Sequence, residues 1–178
     1  EAAEARVSPH PIAFNALPVA GSFAGDDGYT DEELKLVNES RKILELPDLR
    51  VSATCVRVPV VYSHSEAVWA RTVEPLSPAA YRELLAATDG ITVLDEPDGH
   101  VYPTAIAAAG SDEVFVGRIR RDLGDDRSLA FWVVSDNLRK GAATNAVQIG
   151  ELLVRDGLLG RRAHAGRGQH HRPRRHRH

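Results

Sequence analysis

The sequence contains no methionine, a single cysteine and no long apolar run. The absence of methionine, even at position 1, leads us to expect a chain cut from a longer translation product. One cysteine excludes an internal disulfide framework, which suits a reducing cytoplasm. No stretch approaches the ~18 apolar residues of a membrane-spanning helix, and no signal-peptide pattern occurs. We therefore expect a cytoplasmic protein with no membrane association.

Charge divides the chain unevenly. Residues 161–178 hold seven arginines, five of the eight histidines and no acid, whereas residues 1–160 carry 15 Lys and Arg against 25 Asp and Glu. A tail without apolar periodicity cannot build a core, so we expect residues 161–178 to be disordered and a non-native extension. Its arginines could bind nucleic acid and its histidines could bind metal, but we expect neither partner. Residues 1–160 are long enough for one domain with a core.

Helices and strands alternate irregularly along residues 1–160. Thr30 and Glu33 form a capping box that predicts a helix to about Leu46, and Ser77-Pro78 begins a second helix. Residues 91–94, 114–120 and 128–134 read as strands, the last two forming a hairpin, and a final helix is predicted from about Asn137 to Gly157. The pattern predicts an α+β fold with a mixed, largely antiparallel sheet and helices packed on one face.

Residues 52–66 combine a strand pattern with polar side chains. Val56, Val58 and Val60 alternate with Cys55 and Arg57, and His64 follows where the predicted strand ends. An arginine and a histidine so placed can face one cleft. There the arginine would bind a carboxylate or phosphate, and the histidine would supply a group that titrates near neutral pH. The residues alone leave a simpler interpretation open, in which the arginine snorkels and the histidine packs.

Several ordered motifs give the chain a family resemblance. C-V-R-V-P-V (55–60) followed by H-S-E (64–66), with P-I-A-F-N (11–15), G-Y-T-D-E-E-L-K (28–35), V-G-R-I-R-R-D (116–122) and S-D-N-L-R-K-G-A-A-T-N-A-V-Q-I (135–149), resembles the C-terminal, dimerisation domain of aspartate-semialdehyde dehydrogenases. The resemblance covers about residues 8–159. It implies the C-terminal architecture of the glyceraldehyde-3-phosphate-dehydrogenase type, with an open sheet face that makes a homodimer.

The resemblance also implies an activity. Enzymes of this family reduce 4-aspartyl phosphate with NADPH to aspartate semialdehyde and phosphate through a thioester, in the biosynthesis of lysine, threonine, methionine and isoleucine. At the matching positions, the resemblance implies that His64 is the acid/base and that Arg57 binds the substrate carboxylate. It implies that Glu32 binds the amino group of the substrate and Lys35 its phosphate, and that Asn137 contacts NADP. The implied partners are therefore a small-molecule substrate, NADP and a second copy of the chain.

Each assignment has a simpler alternative. Glu32 and Lys35 lie three residues apart and could form a surface ion pair only, and Glu33 replaces Glu32 if the register differs by one. The run after Asn137 could be a helix start with small residues for close packing. Cys55 sits among apolar residues, and we interpret it as structural, because the family nucleophile belongs to an N-C-[ST] segment.

Two family features are absent from the 178 residues. There is no N-C-[ST] nucleophile segment and no glycine-rich dinucleotide fingerprint. We therefore expect the N-terminal NADP-binding domain and the catalytic cysteine to lie outside this chain, and the chain alone to be inactive. Two rival functions remain: an N-acetyl-glutamyl-phosphate reductase, against which the ammonium partner Glu32 argues, and a non-catalytic dimerisation module.

Overall fold

The structure, a computed structural model, describes residues 8–158. The chain divides between Val61 and Tyr62 into two compact units, and each is described by itself. The predicted tail, residues 161–178, lies outside the described residues. Among the described residues, no helix is long and apolar enough to cross a membrane.

The first unit contains helix α1 (Asp31–Ile43). The capping box predicted from the sequence is confirmed: the Thr30 hydroxyl accepts from the Glu33 amide at 3.3 Å, and the Thr30 amide donates to a Glu33 carboxylate oxygen at 2.9 Å. These two bonds satisfy amides that a helix start leaves without partners. Three acidic residues in the first turn complement the positive end of the helix dipole.

Helix α1 ends three residues before the predicted Leu46. Glu45 adopts the left-handed conformation (φ 55°), and the amides of Glu45 and Leu46 donate back to the carbonyls of Lys42 and Arg41 at 3.3 and 3.0 Å. This is a Schellman-type end with a glutamate in the position that glycine usually takes. The sequence contains no glycine there, so the pattern pointed to Pro47 instead.

The predicted strand within residues 52–60 is wrong. In this segment only Arg57 pairs, in an isolated antiparallel bridge with Leu17, through N–H···O bonds of 2.8 and 2.9 Å. Pro59 has no amide to donate, and the Val60 amide bonds back to the Val58 carbonyl at 2.8 Å, which bends the chain. The strand begins later, so His64 opens a strand rather than following one.

The second unit is built on a four-stranded sheet of order β1-β4-β3-β2. Strands β1 and β3 each pair antiparallel with β4, and β2 pairs parallel with β3, which confirms the predicted mixed sheet. The strands are β1 (His64–Arg71), β2 (Ile91–Val93), β3 (Val114–Arg121) and β4 (Ser128–Ser135). The helical segments are α2 (Pro78–Ala86), a 3-10 turn (Pro97–Gly99), α3 (Ala105–Ala108), a π-helical turn (Arg139–Ala143) and α4 (Thr144–Arg155).

One face of the sheet carries the core. Helix α2 begins as predicted, because the Ser77 hydroxyl accepts from the Ala80 amide and Pro78 fills the first turn. Leu85 of this helix is buried with Val116 and Ile119 of β3. Partly buried apolar residues surround them: Tyr81, Ile91, Val93, Val114, Phe131 and Val133.

A bulge in β3 brings Ile119 into that core. The β3–β4 register shifts between Gly117 and Arg120, and Arg118 takes a left-handed conformation (φ 55°). The Asp95 carboxylate accepts from the Ile119 amide at 3.2 Å and from Arg82 at 2.7 Å, and Arg82 also donates to the Ile119 carbonyl at 2.7 Å. The Arg82–Asp95 ion pair therefore binds both the amide and the carbonyl of Ile119 in the bulge.

The opposite, outer face of the sheet is exposed along β1 but covered along much of β4, where Ala130 and Val134 are buried. The β1–β4 register places Ser65, Ala67 and Trp69 beside Ala130 and Trp132 on this face. Trp69 of β1 is 62% exposed, and the short helix α3 contacts β4. The predicted free face is therefore found along β1, where Ser65, Ala67 and Trp69 are exposed.

Helix α4 ends where the sequence predicts. Gly157 takes a left-handed conformation (φ 66°), its amide donates to the Val154 carbonyl at 3.0 Å, and the Leu158 amide donates to Leu153 at 2.9 Å. These are the two bonds of a Schellman motif with glycine after the cap. No residue of α4 is buried within the described part of the chain.

Candidate functional site

Helix α1 presents two of the predicted site residues to solvent. Lys35 Nζ lies 3.5 Å from the Glu32 carboxylate, and the two side chains are 55% and 50% exposed. An exposed pair at this separation contributes little to stability. Both charges are therefore accessible to a ligand at small cost.

Glu33 has a different, structural role. One carboxylate oxygen closes the capping box, and the other accepts from the Cys55 amide at 2.8 Å. The Thr30 and Cys55 amides hold the pKa of the buried Glu33 carboxyl below its usual range, because they stabilise the charged form. With both oxygens engaged, Glu33 is a poor candidate for substrate binding, and this favours Glu32.

Arg57 stands on a backbone that is held at two points. The Glu33–Cys55 bond attaches the segment to α1, and the Leu17 bridge fixes Arg57 itself. The Arg57 side chain is exposed and makes no hydrogen bond within residues 8–158. Cys55 is half-buried, and its structural role stays a prediction.

His64 occupies the first position of β1 and is exposed. It lies across from Ser135 in the β1–β4 register, so the sheet fixes its backbone. The preceding residue, Ser63, takes a left-handed conformation (φ 75°) that residues other than glycine rarely adopt. The Ser63 amide donates to Asn137 Oδ1 at 2.9 Å, and its hydroxyl donates to the Ala105 carbonyl at 3.0 Å.

The last helical segment begins near Asn137, as the sequence predicts: Asn137 and Leu138 form a turn, and the segment starts at Arg139. The residue before Asn137, Asp136, is buried and acts as the cap, accepting from the amides of Gly110, Leu138 and Arg139 at 2.7, 2.8 and 3.0 Å. The amides of Gly110 and Arg139 in particular hold the pKa of Asp136 below its usual range. An aspartate before a helical segment is a known cap signal, and it could have identified this residue.

The segment after Asn137 is a π-helical turn. The amides of Gly141 and Ala143 donate five residues back, to Asp136 and Leu138, at 3.0 and 3.1 Å. Such turns are rare and occur often at functional sites. Arg139 anchors the turn through a bidentate pair with Asp112, at 2.8 and 2.7 Å.

The predicted site residues fall into two sets. Glu32, Lys35 and Arg57 belong to the first unit, while His64 and Asn137 belong to the second. Whether Arg57 and His64 face one cleft stays a prediction. A cleft of about 580 Å³ on the outer face of the sheet contains none of these five residues; Tyr102, Arg118 and Trp132 are among those that line it.

Comparison with known proteins identifies the family. The profile of the semialdehyde dehydrogenase dimerisation domain matches residues 1–140. The chain belongs to this family. Its sequence is 53% identical to aspartate-semialdehyde dehydrogenase of Aquifex aeolicus over 159 residues, which are 89% of this chain and 46% of that protein. The enzyme of Legionella pneumophila is also 53% identical, over 88% of this chain and 45% of its own length.

Solved structures agree with the sequence comparison. Aspartate semialdehyde dehydrogenase II of Vibrio cholerae, complexed with ASA, superposes with a TM-score of 0.82 at 48% identity, over 86% of this chain and 45% of that one. The Candida albicans enzyme with NADP gives 0.68 at 28% identity, over 86% and 48%. The predicted family and fold are confirmed. The chain spans slightly less than half the length of these relatives.

Proposed function

We propose that this chain is the C-terminal, substrate-binding and dimerisation portion of an NADP-dependent aspartate-semialdehyde dehydrogenase. The complete protein would reduce 4-aspartyl phosphate to aspartate semialdehyde and phosphate, in the cytoplasm, as a step of amino-acid biosynthesis. The observation that carries the proposal is the accessibility of the matched residues. Glu32, Lys35, Arg57 and His64 are all exposed, and within residues 8–158 their side chains make one hydrogen bond, the weak Glu32–Lys35 contact.

The charges of the first unit match those of the substrate. Aspartyl phosphate carries a carboxylate, an ammonium and a phosphate group. The guanidinium of Arg57 can bind the carboxylate with two parallel hydrogen bonds, Glu32 can bind the ammonium, and Lys35 can bind the phosphate as a point charge. The Glu32–Lys35 contact is weak at 3.5 Å, so each side chain can leave it and bind its own substrate group instead.

His64 supplies the proton-transfer group in this proposal. Imidazole is the side chain best suited to moving a proton near neutral pH, and general acid–base catalysis contributes about 10²–10⁴-fold to rate. The exposed ring at the start of β1 can hold a proton and pass it to the reacting atoms of a bound substrate. The nucleophilic thiolate would come from outside these 178 residues, because we interpret Cys55 as a structural residue, on a segment that its amide attaches to Glu33.

One residue of the second unit can bind the cofactor. Asn137 Oδ1 is engaged by Ser63, but its Nδ2 group has no hydrogen-bond partner among residues 8–158 and can donate to an acceptor on NADP. When bound, NADPH supplies the hydride. Most of its contacts would belong to the other half of the complete protein.

The partner we propose is a second copy of the chain, packed on the outer face of the sheet. Trp69 and the cleft beside Trp132 leave apolar surface there that a two-fold symmetric contact would bury. Light scattering with size-exclusion chromatography tests this. We expect a dimer, and further association as concentration rises; a sharp monomer peak near 19.4 kDa over a hundredfold concentration range would contradict it.

Steady-state kinetics of the complete protein test the residue roles. We expect His64→Asn to lower kcat by about 10²–10⁴-fold with KM nearly unchanged. Arg57→Lys should instead raise KM for aspartate semialdehyde, because the lysine ammonium cannot donate the two parallel hydrogen bonds that a guanidinium gives to a carboxylate. His100→Asn and Arg50→Lys are matched controls on exposed positions outside the site. Near-normal kinetics of both site variants would refute the assignment.

A further inference from the structure

Asn137 and Ser63 are joined across 74 positions of the sequence, next to the proposed catalytic histidine. The Asn137 side-chain oxygen accepts from the Ser63 amide at 2.9 Å, and His64 follows Ser63 directly. We propose that Asn137 is a positioning residue for His64, acting through the backbone of Ser63. This inference rests on the proposed function, in which His64 moves the proton.

The conformation of Ser63 requires outside support. A non-glycine residue at φ 75° persists only when its surroundings hold it there. Ser63 is held by two bonds from two different elements, because its amide reaches Asn137 while its hydroxyl donates to the Ala105 carbonyl of α3 at 3.0 Å. The turn that leads the chain into β1 is thereby fixed on both sides.

The position of Asn137 is itself well determined. The adjacent Asp136 is buried, and its carboxylate accepts three backbone amides that tie the end of β4 to Gly110 and to the helical turn. Asp136 therefore performs the capping, and the Asn137 side chain has no local bond to make. Within residues 8–158, its side-chain hydrogen bond is the long-range one to Ser63.

The orientation of the histidine follows from this chain of contacts. Pairing with Ser135 fixes the His64 backbone on its C-terminal side, and the Ser63 turn fixes it on the N-terminal side. The exposed imidazole makes no hydrogen bond within residues 8–158, so what the fold fixes is the direction of the His64 Cα–Cβ bond, from which the ring projects. Loss of the Asn137 bond would free the turn and widen the range of positions that the ring samples.

Two substitutions separate this role from a contact with the cofactor. Asn137→Asp keeps an oxygen that accepts from the Ser63 amide and loses the Nδ2 donor, whereas Asn137→Ala loses both groups. We expect Asn137→Ala to lower kcat of the complete protein on the order of 10- to 100-fold, in addition to the rise in KM for NADP that follows from loss of the Nδ2 donor. Asn137→Asp should raise KM for NADP as well, because it also lacks the Nδ2 donor, but its kcat should be well above that of Asn137→Ala. Asn145→Ala, on the exposed side of α4, is the control and should behave as wild type.

Amide hydrogen exchange gives a readout that does not depend on activity. The Ser63 amide should exchange faster in Asn137→Ala and stay protected in Asn137→Asp. Unchanged protection in Asn137→Ala would overturn the proposal, as would an Asn137→Asp variant with kcat as low as that of Asn137→Ala. A raised KM for NADP with normal kcat in Asn137→Ala would show a cofactor contact only, and would equally overturn it. Full activity of His64→Asn would instead reject the proposed function, while the exchange data would still decide whether Asn137 holds Ser63.

Discussion

Gly117 lies where β3 passes closest to the segment after β2, and adding one methyl group there tests the packing of the second unit. A Cβ at this position would overlap the Leu94 carbonyl oxygen and would lie 2.6 Å from Pro103 Cδ. Carbon atoms in contact normally lie about 3.5–4.0 Å apart. The Leu94 amide donates to the Val116 carbonyl at 2.9 Å, so the Leu94 backbone cannot withdraw without losing that bond.

The expected cost is large for so small a change. Overpacking in a close-packed interior costs about 1–3 kcal/mol, and a clash with backbone places Gly117→Ala at the upper end, about 3 kcal/mol. For a chain of this size, about 2–4 °C of melting temperature corresponds to 1 kcal/mol, so we expect a decrease of about 6–12 °C. Gly150→Ala is the matched control, because nothing lies within 4 Å of its added Cβ in helix α4.

Thermal denaturation followed by circular dichroism measures both variants. Protein concentration must be equal in all samples, since association shifts the melting temperature. Gly150→Ala should be more stable than wild type by up to about 1 kcal/mol, because alanine is the better helix former. A Gly117→Ala variant that melts at the wild-type temperature would refute the proposed close approach, and so would two variants that shift equally.

Two further predictions concern acid stability and the activity of the chain alone. Glu33, Asp112 and Asp136 have lowered pKa values in the folded state, so their stabilising effect is complete above the unfolded pKa of about 4 and is lost as pH falls through the folded values. The free energy of unfolding should therefore decrease below about pH 4, and Asp136→Asn should reduce this dependence; equal slopes for the variant and wild type would contradict it. The 178-residue chain should show no reduction of NADP with aspartate semialdehyde and phosphate, and turnover that disappears on Cys55→Ser would show that the cysteine is misassigned.

Local signals predicted much of the fold. The Thr30 capping box, the Ser77-Pro78 helix start and Gly157 are each determined by neighbouring residues, and each is found where the sequence places it. The hairpin of β3 and β4 was likewise predicted from alternation and a glycine–aspartate turn. Such features depend on contacts within a few residues.

Features held by distant contacts were missed. The Val56–Val60 alternation predicted a strand, but Pro59 and the turn at Val58 prevent pairing, and β1 forms instead where β4 offers partners from His64 onward. The second bond of Glu33, to Cys55, depends on a contact across 22 positions. No local pattern reveals such contacts.

The candidate site shows the same limit. The family motifs supplied Glu32, Arg57 and His64, because those positions match by residue type. The residues that hold them were not apparent from the motifs. Ser63 carries no sign of its left-handed conformation, and its bond to Asn137 exists only once the end of β4 lies beside the start of β1.

The central claim is that the complete protein acts on aspartate semialdehyde, and one assay tests it directly. NADP reduction is followed at 340 nm in the non-biosynthetic direction, with aspartate semialdehyde or N-acetyl-glutamate semialdehyde, each with and without phosphate. We expect phosphate-dependent reduction with aspartate semialdehyde and little with the acylated substrate, which has no ammonium group for Glu32. Equal or better kcat/KM with the acylated substrate, or turnover that does not require phosphate, would contradict the account.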